Sequence, residues 1–347
     1  MDTALVLRQL EDQAKACDTL GSPFTARLLR LLALKLDRST TFGRAVLEWP
    51  TDPYGDNIAL RVAGALHALV RSGRAPDLGA VYPPAPATPD ELWPPLSRVI
   101  AQHGAELIAG LASAPQTNEV ARSGLLLGAM LTLGRKLGLP LALYEIGASA
   151  GLNLAFDKYR YRLGENRVWG APDAPLTIDC EWRGTRPPLD TPLEIASRQG
   201  CDLRPIDPAS RADTERLMSY IWPDQTQRLQ RTEAALRLAA EEQRRISGAD
   251  AAEWVEAEFA APHPEGVARV LYHTIVWQYL PKETKGRIES TLARAAAAAT
   301  DTRPLARFSF EQDATPGSGA MLLTLWPSRE TINLGRGDFH GRWAEWA

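Results

Sequence analysis

The sequence predicts a doubly wound α/β protein preceded by a helical segment, and three observations carry that expectation. Up to residue 138 the apolar residues recur at helical spacing. From Leu139 onward, short strand-like runs alternate with helical ones. The first of those runs, LPLALYEIG, is continuously apolar until it ends in an acid and a glycine, as a central parallel strand buried on both faces does where it turns into a helix. These patterns place a helical domain at 1–138 and an α/β domain at 139–347, with 158–184 inserted as an antiparallel β-meander.

In PFTARLLRLLALKLD, Phe24, Leu28, Leu31, Leu32 and Leu36 share one face while Arg27, Arg30 and Lys35 fall off it, and Pro23 suits the first turn. NIALRVAGALHALVRSG repeats the pattern through Ile58, Val62, Leu66 and Leu69, with Gly73 as its stop. The proline-rich stretch PDLGAVYPPAPATPDELWPP reads as a loop or extended strap, with a further helix from Leu96 to Leu111. As lone imidazoles, His67 and His103 read as packing or surface groups. Thr117 or Asn118 is expected to cap the apolar helix that precedes Leu139, with Glu119 in its first turn. Gln116, Asn118, Glu119 and Arg122 gather enough hydrogen-bonding capacity there to line a cleft.

In the second part, KYRYRLG, NRVWG and LTIDCEWRG alternate in the manner of short exposed strands and form the expected meander. LEIASRQGCDLRP is a strand and turn, and helices run from about Ala209 to Arg245 with a break at Pro223. RRISG is a short strand, ADAAEWVEAEFAAP a helix and GVARVLYHTIVWQYLP a second apolar strand. KETKGRIESTLARAAAAAT is helical, and LARFSFEQ, AMLLTLWP and ETINLG close the sheet with an antiparallel end.

Composition narrows the function classes. The chain has 347 residues, 45% of them hydrophobic and 23% charged, and a net charge of −3, so it can bury a full core and has no global attraction for nucleic acid or anionic membrane. Cys17, Cys180 and Cys201 lack metal or disulfide spacing, which fits a reducing, cytoplasmic setting and no metal site. The N-terminal residues do not read as a signal peptide, and no apolar run is long enough for a membrane span.

YEIGASAGLNL, residues 144–154, admits two chemistries. As G-x-S-x-G it is a serine-hydrolase elbow, with Ser149 as nucleophile, Asp313 as acid and His340 as base. As an acid followed by small residues at alternate positions, it is a backbone cradle for a nucleotide-like cofactor. The helices ahead of it supply neither the strands nor the oxyanion loop of a hydrolase, and this favours the cradle. A third possibility is a domain of the same fold that binds a ligand or partner without catalysis.

From Leu141 onward the order of motifs resembles the class I S-adenosylmethionine-dependent methyltransferases, whose fold is Rossmann-like. The whole chain is similar to an uncharacterised bacterial family that shares the phrases EIGASAGLN and H-x-x-x-W-Q-Y-L. The methyltransferase resemblance implies S-adenosylmethionine as cofactor. It assigns Glu145, Gly147, Ser149, Gly151 and Asn153 to the cofactor loop, with serine at the place of the family's middle glycine. It implies Asp202 for the ribose hydroxyls, Asp250 for the adenine and Trp277 beside the sulfonium. It also implies methyl transfer, expected here to a small-molecule acceptor; His273 and then His340 are the candidate bases, and Gln116, Asn118, Glu119, Gln278 and Tyr279 are expected near the acceptor. A simpler topology, without the insertion, would choose Asp179 instead of Asp202.

Overall fold

The structure, a computed structural model, describes residues 2–165, 167–261 and 263–347. Asn166, which opens the run NRVWG, and Pro262, at the end of the helical run after Asp250, lie outside the described residues. The chain opens with α1 (Thr3–Thr19), α2 (Pro23–Lys35), α3 (Thr41–Leu47), α4 (Ile58–Arg71), α5 (Pro76–Gly79), α6 (Pro89–Gln102) and α7 (Gly104–Leu111). Next come α8 (Ser123–Leu137), β1 (Leu141–Ile146), β2 (Arg160–Leu163), β3 (Val168–Trp169), β4 (Thr177–Gly184) and β5 (Ile195–Asp202). Then follow α9 (Arg211–Ser219), α10 (Thr226–Glu241), β6 (Ser247–Gly248), α11 (Ala251–Ala260), β7 (Ala268–Thr274) and α12 (Lys282–Ala297). The last strands are β8 (Leu305–Gln312), β9 (Gly319–Trp326), β10 (Glu330–Gly337) and β11 (Trp343–Trp346).

Two compact units emerge: Met1–Thr117 with Arg211–Gln230, and Asn118–Ser210 with Arg231–Ala347. This grouping differs from a division at residue 138 in two ways, each with a packing reason. Helix α8 groups with the sheet because it is apolar on nearly every side, with Ser123 through Leu131 all buried, and such a helix needs cover all round. Helix α9 and the start of α10 group with the N-terminal helices. There Glu215 pairs with Arg71, the Ser219 carbonyl meets His67 Nδ1 at 3.1 Å, and the Tyr220 ring occupies the space that a Cβ on Gly64 would need.

The core of the first unit is a single cluster of leucine, valine and alanine from α1 to α7. The proline-rich stretch holds a helix where the sequence suggested a strap. Thr88 and Glu91 form a reciprocal capping box that starts α6 at Pro89 and carries it through Pro94 and Pro95. Pro89, at the first helical position, costs least because its missing N–H would have no intrahelical acceptor, whereas Pro94 and Pro95 lie inside the helix.

The second unit is built on one mixed sheet in the order β3-β2-β4-β11-β10-β9-β8-β7-β1-β5-β6. Strands β6, β5, β1, β7 and β8 are mutually parallel, and β8 to β11 run antiparallel in sequence. The expected meander is corrected here. Only β2 and β3 pair antiparallel, whereas β4 is parallel to both β2 and β11, so the segment extends the main sheet. The antiparallel β3 brings the chain back to the end where β2 began, and the link with Pro172 and Pro175 then crosses to the other side of β2, where β4 starts parallel to it.

Alternation in β1 sends Ala142, Tyr144 and Ile146 to a core shared with Ala252, Trp254 and Val255 of α11 and Ile288 and Leu292 of α12. Leu143 and Glu145 point to the other face. Helix α8 lies against the β4 and β11 part of the sheet, and a Cβ on Gly128 would stand 2.8 Å from both the Trp182 and Trp346 rings. Those two rings pack on each other at 4.9 Å and are both buried, so neither can give way cheaply. Gly134, two turns on, has room, since its added Cβ would meet nothing closer than 3.5 Å. We therefore expect Gly128→Ala to lower unfolding free energy by about 1–3 kcal/mol, as overpacking does. Gly134→Ala should raise it by up to about 1 kcal/mol through helix propensity. Urea denaturation of the two variants measures both signs, and equal signs would refute the packing account.

Candidate functional site

Strand β1 is flanked by β5 on one side and β7 on the other, both parallel to it, so the sheet changes winding direction there. In open α/β sheets the crevice at such a reversal, outside the strand C-termini, is where ligands are held. The residues at that edge are Ile146, Asp202 and Thr274, and between them lies the glycine loop. Gly147, Ser149 and Gly151 all have left-handed backbone, with φ of +70°, +54° and +69°. Gly147 could not carry a side chain even apart from this, because a Cβ would stand 2.5 Å from Val276 Cγ2.

Hydrogen bonds from several elements fix the loop. The Ala148 N–H donates to Cys201 O at 2.9 Å, and the Ser149 N–H donates to Asp202 Oδ2 at 3.0 Å. Asp202 Oδ1 accepts from the Arg204 N–H at 2.9 Å, so the acid at the end of β5 is held by two backbone amides. Asn118 Oδ1 accepts from the Leu152 N–H at 3.0 Å, and Arg244 donates to Gly151 O at 2.8 Å. Two polar atoms inside this arrangement are buried without a hydrogen-bond partner: Ser149 Oγ and Asn153 Oδ1.

Glu145 sits at the end of β1, 2% exposed. The register of β1 with β7 places it beside Tyr272, whose hydroxyl donates to Glu145 Oε2 at 3.2 Å. Burial pushes the Glu145 carboxyl up to about 8, against the opposing Tyr272 hydrogen bond and Arg244 charge, so the acid is protonated at neutral pH.

Two further segments reach the same edge. Glu119 replaces Thr117 and Asn118 as the cap of the segment before α8, because its Oε1 accepts from the Ala121 N–H and from Arg231 Nη2, both at 3.1 Å. Arg122 donates to Thr274 O at 3.2 Å and to Phe339 O at 2.8 Å, which joins this segment to β7 and to the turn before β11. In that turn the buried Asp338 accepts from the His340 N–H at 2.9 Å and is paired with Arg342. His340 is half-buried beside it.

The structure places His273 differently from a base facing a cofactor. Its ring is 1% exposed, with Nδ1 2.6 Å from Glu311 Oε1 and Nε2 accepting from Arg307 at 3.0 Å. Both nitrogens are thus used internally, and burial lowers its pKa. Trp277 stacks on this imidazole at 4.8 Å and carries the Arg307 guanidinium at 4.4 Å, so its ring is already engaged by a protein cation. Glu311 also accepts from the Val276 N–H, next to Ile275 at φ +53°, a strained conformation for a β-branched residue. Gln278 and Tyr279 are exposed, the latter by 70%. Gln116 belongs to the helical unit, where it is half-buried.

Asp250 is the N-cap of α11, where its Oδ1 accepts from the Ala252 and Glu253 N–H groups. Asp179 lies on β4 in an exposed pair with Arg162, and β4 is far along the sheet from β1. Asp202, by contrast, ends the strand next to β1. The geometry gives a serine triad no support: Ser149 Oγ has no partner, and Asp313 is held bidentately by Arg336.

Sequence reading missed Glu311, Arg307, Tyr272, Arg231 and Arg244. Only Glu311 left a trace, as an acid that closes the apolar alternation of LARFSFEQ.

A match over residues 8–346 joins this architecture to a family model described as "Uncharacterized protein conserved in bacteria (DUF2332)". The chain belongs to the DUF2332 family. No curated protein and no solved structure matches it. Among the described residues of this DUF2332 protein, no helix is long and apolar enough to cross a membrane, and no group of three or more His, Cys, Asp or Glu could hold a metal ion.

The buried acid of this DUF2332 protein has a measurable signature. Because the Glu145 pKa is raised on folding, the native state binds the extra proton, and its stabilising effect is lost as pH rises from about 4.5 towards about 8. Glu145→Gln keeps an acceptor for Tyr272 and removes the titration. The melting temperature of the variant relative to wild type should therefore climb steadily from pH 5 to pH 8. A difference independent of pH would show that Glu145 does not titrate in this window.

Proposed function

We propose that this DUF2332 protein binds S-adenosylmethionine across the C-terminal ends of β5, β1 and β7 and transfers its methyl group to a small-molecule acceptor. The observation that carries this reading is the bond from the Ser149 N–H to Asp202. It puts a carboxylate from the neighbouring strand against a left-handed loop at the winding reversal, where a ribose and an amino-acid moiety can be held side by side. The residues fit such a ligand in one further respect: Ser149 Oγ and Asn153 Oδ1 are buried polar atoms in need of partners.

S-adenosylmethionine supplies a methyl group on an electrophilic sulfonium. Asp202, oriented in advance by two backbone amides, accepts from the ribose hydroxyls. Glu145, protonated in the free protein, would be favoured as the carboxylate, with its proton released to solvent, were the cationic part of the ligand held beside it, because the added positive charge would offset the burial that holds the proton there. Asp250 is spent on capping α11, so it orients that helix start. His340 is the base candidate in place of His273, whose ring is closed by Glu311 and Arg307. Methyl transfer depends chiefly on in-line placement, and positioning supplies much of its rate.

Calorimetric titration with S-adenosylmethionine and S-adenosylhomocysteine tests the reading. Both should bind, and Asp202→Asn should cost about 1.5–3 kcal/mol of affinity, the range for hydrogen bonds to a charged group. Asp179→Ala, on the distant β4, should leave affinity unchanged. No heat from either ligand at about 1 mM would sink the proposal. Weakening by Asp179→Ala with none from Asp202→Asn would sink the assignment of the ribose acid.

A further inference from the structure

A second site is built at the opposite end of the same strands. Where β7 and β8 begin and α11 and α12 end, a cavity of about 510 Å3 opens between the two helices. At its inner wall stands Arg269, 5% exposed, with its guanidinium 4.7 Å from the Phe259 ring and 5.6 Å from that of Tyr144. Its Nη2 donates to Ala261 O at a long 3.3 Å, its Nε is buried without a partner, and among the described residues no carboxylate pairs with it. A buried guanidinium in this state is costly, and aromatic faces offset only part of the cost.

The other charged groups of the cavity leave it net positive. Arg294 donates to Thr291 Oγ1 at 2.9 Å and likewise has no ion pair among the described residues. Arg303 is paired with Glu265, and the one lining carboxylate, Glu256, is held bidentately by Arg287. His263 donates through Nε2 to Val267 O at 2.5 Å, which leaves a buried Nδ1 without a partner. The remaining wall is apolar, made by Phe259, Leu305 and the alanines of the two helix ends.

We propose that this cavity binds a small organic acid, with its carboxylate on Arg269 and Arg294 and its hydrocarbon body against Phe259, Leu305 and the alanines. A single negative charge is the better match than a doubly charged phosphate. Both helices present their C-termini here, and those negative dipole ends offset part of the positive charge of the two arginines. The guanidinium fork fits a planar carboxylate in two-point contact. The site shares no residue with the glycine loop, so it stands or falls independently of methyl transfer.

Benzoate is the probe, titrated into the full chain by calorimetry beside inorganic phosphate. We expect saturable benzoate binding with a Kd of about 1 mM or tighter, and phosphate at least about tenfold weaker. Arg269→Met should weaken benzoate at least about tenfold while leaving the melting temperature equal or higher, since it exchanges an unpaired buried charge for an apolar chain of similar volume. Arg294→Ala, at an exposed position, and Ala295→Trp, which fills the cavity, test the same site should Arg269→Met fail to fold. Both should also weaken benzoate. The proposal is overturned if benzoate does not saturate by about 20 mM, if phosphate binds as well as benzoate, or if binding survives these substitutions.

Discussion

The turn after β1 depends on one constraint: three nearby residues must hold left-handed backbone within a few ångströms of a neighbouring strand. Glycine meets this at 147 and 151 without steric cost, whereas Ser149 adopts φ +54° only because its N–H is held by Asp202 and its carbonyl accepts from the Ile206 N–H. The close approach extends into β5. A Cβ on Gly200 would stand 2.8 Å from that of Ala148, so the strand must be bare where the loop crosses it. Asp202 is therefore both a structural clamp and the acid best placed for a ligand, and a change there alters the loop as well as any recognition.

Buried charge is handled in two opposite ways in the sheet unit. Around His273 both ring nitrogens are engaged: Glu311 Oε1 takes one, Arg307 the other, Glu289 pairs with Arg307 and Trp277 covers the imidazole, while Glu311 Oε2 stays buried without a partner. Such a network fixes the chain at the end of β7 and holds the strained Ile275 in place, which is a reason for the network to exist without catalysis. Glu145 and Arg269 are left open. One stays neutral by keeping its proton and the other stays charged between aromatic rings. Groups that a fold buries without full compensation are where an outside partner gains most, because binding removes a penalty already present in the free protein.

What the sequence made legible follows the reach of its physical signals. The parallel core was readable because a run as short and as continuously apolar as LALYEI, bounded by proline and glycine, suits a strand covered on both faces and little else. Asp202 followed once the strand ending in QGCD was recognised as its neighbour. The proline-rich α6 was not readable, because proline outweighs capping in a local reading, although Thr88 and Glu91 carried the opposite signal. The β2–β4 region was legible as strands but not as pairings, since alternation reports which faces are buried and says nothing about which edge a strand joins. The surroundings of His273 were not legible for a similar reason. Its strand was correct, but Glu311 and Arg307 close on it from β8, across a pairing that no local pattern encodes.

The two candidate sites lie at opposite ends of β7, and the strand's own alternation accounts for their separate characters. Arg269, Leu271 and His273 point to the face covered by α11 and α12, whereas Tyr272 joins Glu145 on the other. The glycine loop thus draws its acid from one face, and the arginine cavity its cation from the opposite face and the opposite end. Helices α11 and α12 connect the two regions through packing alone: their starts flank the Asp250 cap and the 274–280 turn, and their ends wall the cavity. A ligand that draws the helix ends together must work against the same close-packed core that supports β1, and that core responds as a solid does, with little compliance over its length.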